Sequence, residues 1–317
     1  RRSSDLILHQ HSPGRVVTTN TDTFVYGDSL DLTEMFRDMD VAANDVYSRD
    51  PYEIRFYCDL TRSLKGDTFW LLEYGAFSPK LYEELRLIRR SGAEWVAIFK
   101  FKPTPWGQEQ GQRCLLTITG EKAPNYHAVR RWMEEENSGQ HVDLAYERPR
   151  LGLYYDFESS WTFLVAAYDE PLTQKQRYPN YLLHTIYKAL YDVAGGAQFA
   201  FSAKDIQQMD TLIVPWHVLY DAALEERLMD FVREGGKLIV TYDLFYKNAD
   251  NVFLTEVPAI YPELLGWQEN DFPHYRLLED KTPIIRHQSV GKGQTWLVRS
   301  DLSENDWRSL ISEACSG

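Results

Sequence analysis

Thr68-Phe69-Trp70-Leu71-Leu72-Glu73 is a run of apolar residues that ends on a carboxylate. Four consecutive apolar residues are typical of a strand with both faces covered, as in a parallel sheet flanked by helices. Barrel enzymes place catalytic groups at the carboxyl ends of such strands. The run therefore predicts a buried parallel strand that holds Glu73 at a catalytic edge, although a glutamate in this position can also cap the following helix.

Strands and helices alternate on both sides of this run. Further strands are predicted at residues 16–20, 39–44 and 95–101, and helices at residues 30–37, 52–64, 81–90 and 123–136. This alternation indicates β/α units on a parallel sheet. Four such units amount to half of an eight-stranded barrel, and the half-barrel has unpaired strand edges. We therefore expect this half of the chain to need more polypeptide.

A second α/β pattern follows a charged linker at residues 139–149. Its strands are predicted at residues 151–156, 197–201, 211–215, 237–242 and 294–300, and its helices at residues 178–193 and 222–234. Gly235-Gly236 marks a helix end, and Gly291-Lys292-Gly293 is typical of a hairpin turn. The order predicts a flavodoxin-like three-layer domain over residues 150–317, after a first domain over residues 1–140.

The composition excludes several classes of partner and cofactor. The net charge is −13, with 34 basic and 47 acidic residues, which disfavours nucleic acid and anionic membranes as partners. Cys58, Cys114 and Cys315 form no CxxC pair, so we expect neither a disulfide framework nor a zinc site, and a reducing, cytoplasmic location. His9, His11 and His127 lack the i, i+4 spacing of metal ligands. We therefore expect no metal or other cofactor.

These residues resemble the β-galactosidases of glycoside hydrolase family 42 over nearly the whole chain. Residues 15–20 and 40–47 look like the fifth and sixth barrel strands of the family, and residues 59–62 look like the helix before the seventh. Residues 69–73 and 99–109 are similar to the seventh strand and to the eighth strand with its sugar-binding loop. Residues 155–156, 214–215, 232–236 and 264–266 are similar to the trimerisation domain of the family.

The resemblance implies a fold and a chemistry. The fold is the second half of a (β/α)8 TIM barrel followed by a flavodoxin-like trimerisation domain, and the assembly is a homotrimer. The chemistry is that of a retaining glycoside hydrolase, which removes terminal β-D-galactosyl residues by double displacement with Glu73 as the nucleophile. The resemblance places Glu109 and Gln112 at sugar-contacting positions, and Tyr47 and Trp106 are further candidates for substrate contact. It places the acid/base glutamate on a barrel strand that precedes Arg1, so we expect this segment alone to be inactive.

Some positions depart from the family pattern. Phe77 lies near the position of a family tryptophan, Gln112 replaces a histidine that contacts substrate, and Lys102 replaces an arginine. These departures fall on or near sugar contacts, so the identity of the sugar stays open.

Several roles in the first half have two interpretations. Asp45 and Glu109 could supply the second carboxylate, although Asp45 is more typical of a capping residue and Glu109 of a hydroxyl-binding one. Tyr47 could orient the nucleophile or simply pack. Trp106 is expected to face the cleft and Trp70 to belong to the core, with Phe99 and Phe101 as further candidates for a sugar platform.

The second half is read as an assembly element. Its pattern also resembles class I glutamine amidotransferases, but the strand at residues 237–242 is followed by no cysteine nucleophile. Three aromatic residues are candidates for the apolar centre of a subunit interface, although each could equally belong to the core: Trp161, Phe163 and Trp216. The alternative function for the whole chain is a non-catalytic carbohydrate-binding or assembly protein derived from a glycosidase.

Overall fold

The computed structural model describes residues 9–21, 30–66, 68–139, 146, 148–165, 181–266, 285–299 and 302–316. The chain divides into two compact units, with Arg1–Tyr26 and Leu32–Glu147 in the first and Gly27–Asp31 and Arg148–Gly317 in the second. The first unit contains a three-stranded sheet and the second a six-stranded sheet. Among the described helices, none combines the length and apolar character needed to cross a membrane.

The first unit repeats a strand followed by a helix. Its elements are α1 (Leu32–Phe36), β1 (Ala43–Val46), α2 (Pro51–Lys65), β2 (Phe69–Gly75), α3 (Leu81–Arg90), β3 (Ala93–Phe99) and α4 (Pro124–Asn137). The strands lie in the order β1-β2-β3, and both pairs are parallel. Three consecutive β/α units thus follow the order that the sequence predicts for half of a barrel.

Two predicted strands differ from the observed ones. Residues 16–20 form no strand, although they run beside β1, where the Asp40 amide donates to the Val17 carbonyl at 3.0 Å. Too few such bonds form for a regular ladder. The second strand begins at Ala43 rather than at residue 39, because the Met39 amide is held in a turn by the carbonyl of Phe36.

The face of β2 opposite the helices is only partly covered by described residues. Phe69 and Leu71 are buried, whereas Trp70 is half-buried and Trp95 on β3 is 54% exposed. The rings of Trp70 and Trp95 contact each other with centroids 4.8 Å apart. The expectation that Trp70 belongs to a fully covered core is therefore wrong. Strand alternation turns it away from the face that packs on the helices.

A buried cluster of charges holds α2 in place. Asp59 is fully buried and its Oδ1 lies 2.8 Å from Arg55 Nε and 2.6 Å from Arg62 Nη1. Arg62 also donates to the carbonyl of Ser91 at 2.8 Å, at the turn between α3 and β3. The ring of Tyr146 packs on the Arg62 guanidinium at 4.2 Å. One carboxylate thus ties α2 to the neighbouring β/α unit.

The second unit is a doubly wound α/β domain. Its elements are β4 (Leu151–Tyr154), α5 (Phe157–Val165), a π-helical turn (Leu182–Tyr187) that leads into α6 (Lys188–Ala194), β5 (Gln198–Ala200), a 3-10 helix (Ala203–Gln208), β6 (Thr211–Val214), α7 (Ala222–Arg233), β7 (Lys237–Thr241), α8 (Ile260–Leu264), β8 (Ile285–Val290), β9 (Gly293–Val298) and α9 (Glu304–Ser316). The strand order is β5-β4-β6-β7-β9-β8, and only the hairpin partner β8 is antiparallel. This order confirms the flavodoxin-like prediction.

Local signals in the second unit agree with the prediction in most places. The Asp221 side chain caps α7, and Gly235 adopts a φ of 113° directly after this helix. Gly291 turns the hairpin between β8 and β9 with a φ of 61°. Residues 178–180 of the predicted helix and most of the predicted linker lie outside the described residues.

The candidate interface aromatics differ in their environments. Trp216 is only 4% exposed and belongs to the core of its unit, so its assignment to an exposed interface is wrong. Its ring packs against Tyr181 at 4.7 Å, and its amide donates to Thr241 Oγ1 at 2.8 Å. Trp161 is half-buried, and the side chain of Phe163 lies outside the described residues.

Asp59→Asn is expected to destabilise the first unit by about 3–5 kcal/mol, because it leaves two buried guanidinium groups without their carboxylate. Urea denaturation followed by tryptophan fluorescence measures the loss. Glu34→Gln is the matched control, since the pair of Glu34 with Arg37 is about 60% exposed on both sides and should contribute less than about 1 kcal/mol. Equal, small losses in both variants would show that the buried cluster does not anchor α2.

Candidate active site

Glu73 lies near the carboxyl end of β2, in the part of the strand that pairs with Asp45 of β1. The strand continues to Gly75, so Glu73 does not end it as the sequence suggests. The register between the strands shifts at Asn44/Asp45. Glu73 is half-buried, and its Oε2 accepts a hydrogen bond from the hydroxyl of Tyr47. The carboxylate is thus held by a phenol from the adjacent strand end.

Further polar groups gather around this contact. Tyr47 directly follows β1, and Asp45 lies within β1 beside Glu73. The side-chain amide of Asn20 donates to Asp45 Oδ2 at 2.5 Å. Residues from three successive segments therefore meet at the carboxyl edge of the sheet. Sequence analysis did not single out Asn20 as a site residue, although its place at the end of the first predicted strand could have indicated it.

Tyr74 fixes the same strand from its opposite face. Its hydroxyl donates to Glu84 Oε2 on α3 at 2.9 Å, and Glu84 also accepts from the hydroxyl of Ser78. Burial is the main cause that raises the pKa of Tyr74 far above its usual value, so the phenol stays protonated. Because neighbouring side chains of a strand point to opposite faces, this anchor fixes β2 where it carries Glu73.

The loop after β3 is organised around Lys100. The Lys100 ammonium lies 2.9 Å from Glu109 Oε2 and 3.3 Å from Thr104 Oγ1. The Lys100 side chain is 14% exposed and that of Glu109 is 51% exposed. Sequence reasoning did not assign a role to Lys100, although a basic residue near the end of the predicted strand at residues 95–101 was visible. The ion pair bridges the two ends of the loop that carries Trp106.

The predicted site residues fall into two groups. Tyr47 and Glu73 are in direct contact, as expected of a residue that orients a nucleophile. Trp106, Glu109 and Gln112 lie on the loop after β3, and all three are exposed, Trp106 to 77%. Within the described part of the chain, no hydrogen bond or ion pair links these three to Glu73. Their participation in one site with Glu73 stays a prediction.

The described residues contain no cluster of three or more His, Cys, Asp or Glu side chains placed to hold a metal ion. All three cysteines are free. Cys114 is buried next to the loop after β3, and burial raises the pKa of its thiol.

The corresponding edge of the second unit carries a buried histidine. His217 Nδ1 lies 3.6 Å from Asp156 Oδ2, and its ring packs edge-on against Tyr154 and Phe245. Burial lowers the pKa of His217. Asp156 also accepts from the Ser159 amide at the start of α5, so the pair is part of a helix cap. The turn after β7 at residues 241–245 contains no cysteine, which agrees with the rejection of an amidotransferase site.

Comparison with known proteins identifies two family models that match consecutive parts of the chain. The model described as β-galactosidase of glycoside hydrolase family 42 matches residues 2–138. The model described as the β-galactosidase trimerisation domain matches residues 150–275.

Curated relatives carry the same name. The chain is 23% identical over 283 residues to β-galactosidase BgaA of Clostridium cellulovorans, covering 82% of this chain and 42% of the relative. It is 26% identical over 253 residues to β-galactosidase BgaH of Haloferax lucentense, covering 69% of this chain and 36% of the relative. The chain therefore spans less than half the length of these relatives.

Solved structures share the fold. The β-galactosidase from Bacillus circulans sp. alkalophilus superimposes with a TM-score of 0.80 at 19% identity, over 97% of this chain and 54% of that chain. The β-galactosidase from the Antarctic haloarchaeon Halorubrum lacusprofundi superimposes with a TM-score of 0.79 at 18% identity, over 98% of this chain and 56% of that chain. Together the two family models cover most of the chain, so this chain belongs to glycoside hydrolase family 42.

Proposed function

We propose that this chain provides the nucleophile half of a retaining β-galactosidase, with Glu73 as the nucleophile. The observation that carries the proposal is the hydrogen bond from Tyr47 to Glu73 at the carboxyl edge of the parallel sheet. Barrel enzymes hold their catalytic groups at this edge. Family membership and the names of the relatives support β-galactosides as the substrate class.

The proposed reaction proceeds in two displacements. A Glu73 oxygen attacks the anomeric carbon while the glycosidic oxygen leaves with the bonding electron pair and takes a proton from a general acid. Water then attacks the same carbon, the bond to Glu73 breaks, and the deprotonated acid residue takes a proton from the water. Tyr47 donates to the carboxylate and so fixes which oxygen faces the sugar.

The general acid is assigned to a residue other than Asp45 and Glu109. Asp45 accepts a hydrogen bond from Asn20, and Glu109 accepts one from Lys100. Each of these carboxylates is thus engaged by a neighbouring donor, and neither residue lies on the strand that carries the acid in the family. The family resemblance places the acid on a glutamate of the fourth barrel strand, about 5–5.5 Å from the nucleophile in retaining enzymes.

Trp106, Glu109 and Gln112 are proposed to bind the galactosyl group. The loop that carries them follows β3 at the carboxyl edge of the sheet. Tyr47, which follows β1, and Glu73, near the end of β2, lie at the same edge. The Lys100 ammonium holds the Glu109 carboxylate in one place, which lowers the entropy cost of binding a sugar hydroxyl. The exposed indole of Trp106 offers a flat apolar face to a pyranose ring.

The second unit is proposed to assemble the protein into a homotrimer. Its match to the trimerisation-domain model supports this state. A cyclic trimer joins two different patches of each subunit in a heterologous contact.

The nucleophile assignment is tested with 2-deoxy-2-fluoro-β-D-galactosyl fluoride, because fluoride leaves without help from a general acid. We expect a covalent adduct on the chain, located by peptide mass spectrometry at Glu73 and absent in Glu73→Gln. Glu94→Gln is the matched control, since Glu94 begins the neighbouring strand at its opposite end. Labelling of another carboxylate would overturn the assignment. Tight sugar binding without labelling would favour the non-catalytic carbohydrate-binding alternative.

Glu109→Gln is expected to raise the free-energy barrier for labelling by about 1.5–3 kcal/mol, the range for hydrogen bonds to charged groups. The measured quantity is the second-order rate of inactivation by the same fluoride. Glu121→Gln, an exposed residue later in the same connection, should leave this rate unchanged. An unchanged rate in Glu109→Gln would show that the loop faces away from the sugar.

Light scattering on the chain at micromolar concentration is expected to give three times the subunit mass of 37.0 kDa. The physical reason is that a heterologous contact with threefold rotation closes into a ring and leaves no open interface. A monomer mass would contradict the trimer.

A further inference from the structure

Three loops at the carboxyl edge of the first sheet carry an unusual set of side chains. Arg49 follows β1, Phe77 follows β2, and Arg113 lies in the connection after β3. The Arg49 guanidinium is 4.7 Å from the centre of the Phe77 ring. This is the edge on which barrel proteins bind their ligands.

Phe77 and Arg113 line a cavity with a volume of 540 Å³. Its other walls come from the segments that follow β2 and β3, among them Ala76, Pro79, Pro103 and Gln112. The lining is mostly apolar, and Arg113 is its charged member. A volume in this range is typical of small-molecule sites. Gln112 belongs both to the lining of the cavity and to the proposed sugar loop. Ala76, another lining residue, lies three positions after Glu73 in the sequence.

The two arginines differ from six other arginines of the first unit in having no acidic partner among the described residues. Several arginines of the first unit pair with carboxylates: Arg37, Arg55, Arg62, Arg86, Arg89 and Arg130. Among the described residues, no carboxylate forms an ion pair with Arg49 or Arg113. Both lie on a chain whose net charge is −13, and a cation beside a cavity is a local point of attraction for an anionic ligand.

An apolar cavity with guanidinium groups beside it is suited to an organic oxyanion. The planar guanidinium can donate two parallel hydrogen bonds to a carboxylate or sulfate, and the apolar walls offer a surface to the body that carries this anion. A neutral alcohol or sugar would gain little from the unpaired charge. The side chains therefore select for an anionic group attached to a compact apolar or ring-shaped body.

We infer that this cavity binds an anionic leaving group, carrying a carboxylate or a sulfate, of the β-galactoside substrate. The inference rests on the proposed function, because the cavity adjoins the candidate site through Gln112 and through the segment that follows Glu73. Arg113 and Arg49 act here as specificity residues and take no part in bond breaking.

The test uses three phenyl 1-thio-β-D-galactosides, which are not hydrolysed and differ only in the para substituent: carboxylate, sulfonate or neutral carbamoyl. Titration calorimetry on the chain at low ionic strength should show at least one anionic probe binding about tenfold more tightly than the carbamoyl probe. The advantage should shrink at high salt, since exposed charges are screened. The comparison of carboxylate with sulfonate identifies which oxyanion fits.

Variants assign the effect to the cavity. Arg113→Gln should abolish the anionic advantage, Arg49→Gln should reduce it, and Arg113→Lys should retain part of it. Arg130→Gln is the matched control, because it removes the same charge from α4 of the same unit at a residue that does not line the cavity. An equal loss in Arg130→Gln would mean that overall charge, rather than this cavity, causes the preference.

The outcomes separate this inference from the proposed function. Equal affinity for anionic and carbamoyl galactosides would overturn the inference and leave galactoside binding intact. Binding of 4-hydroxybenzoate with no binding of the carbamoyl galactoside would support the anion site and contradict the galactoside function. Failure of every probe to bind overturns both.

Discussion

The buried carboxylate of Asp59 is the constraint on which the first unit depends. A charge removed from water has to find partners, and Asp59 finds both Arg55 and Arg62 within the same helix. Arg62 then reaches the Ser91 carbonyl of the next β/α unit, while Asn44 of β1 donates to Thr61 of α2 at 3.1 Å. The helix is fixed against the strands on both sides. The pairing of β1 with β2 brings Tyr47 and Glu73 together, and the buried charges hold α2 beside these strands.

Strand alternation connects this packing to the proposed chemistry. Tyr74 donates to Glu84 on α3, whereas Glu73 accepts from Tyr47 near the carboxyl edge of the sheet. Of these two consecutive residues, Tyr74 anchors the strand and Glu73 presents the carboxylate. On the loop after β3, Lys100 performs the anchoring for Glu109 with a partly buried ion pair. In both places a hydroxyl or ammonium donor holds a carboxylate acceptor in position.

The sequence predicts the elements well where local signals are strong. The helix Leu81–Arg90 matches its amphipathic pattern, and the flavodoxin-like strand order follows from alternation and turn glycines. The strand predicted at residues 16–20 is not formed, because a β-branched run becomes a strand only when a neighbouring strand completes its ladder of backbone hydrogen bonds. The Tyr47–Glu73 contact was predictable from strand ends and resemblance. The cluster around Asp59, the Lys100–Glu109 pair and the unpaired Arg113 were not, because they depend on three-dimensional proximity that spacing does not encode.

The most direct test of the account is the product formed from 2,4-dinitrophenyl β-D-galactoside in the presence of azide. Dinitrophenolate leaves without an acid, and azide attacks without a base, so the reaction reports on the nucleophile alone. The account predicts β-galactosyl azide from the native chain, through a covalent intermediate on Glu73, and none from Glu73→Gln. Formation of α-galactosyl azide by the native chain, or of the β-anomer at the same rate in Glu73→Gln, would contradict it.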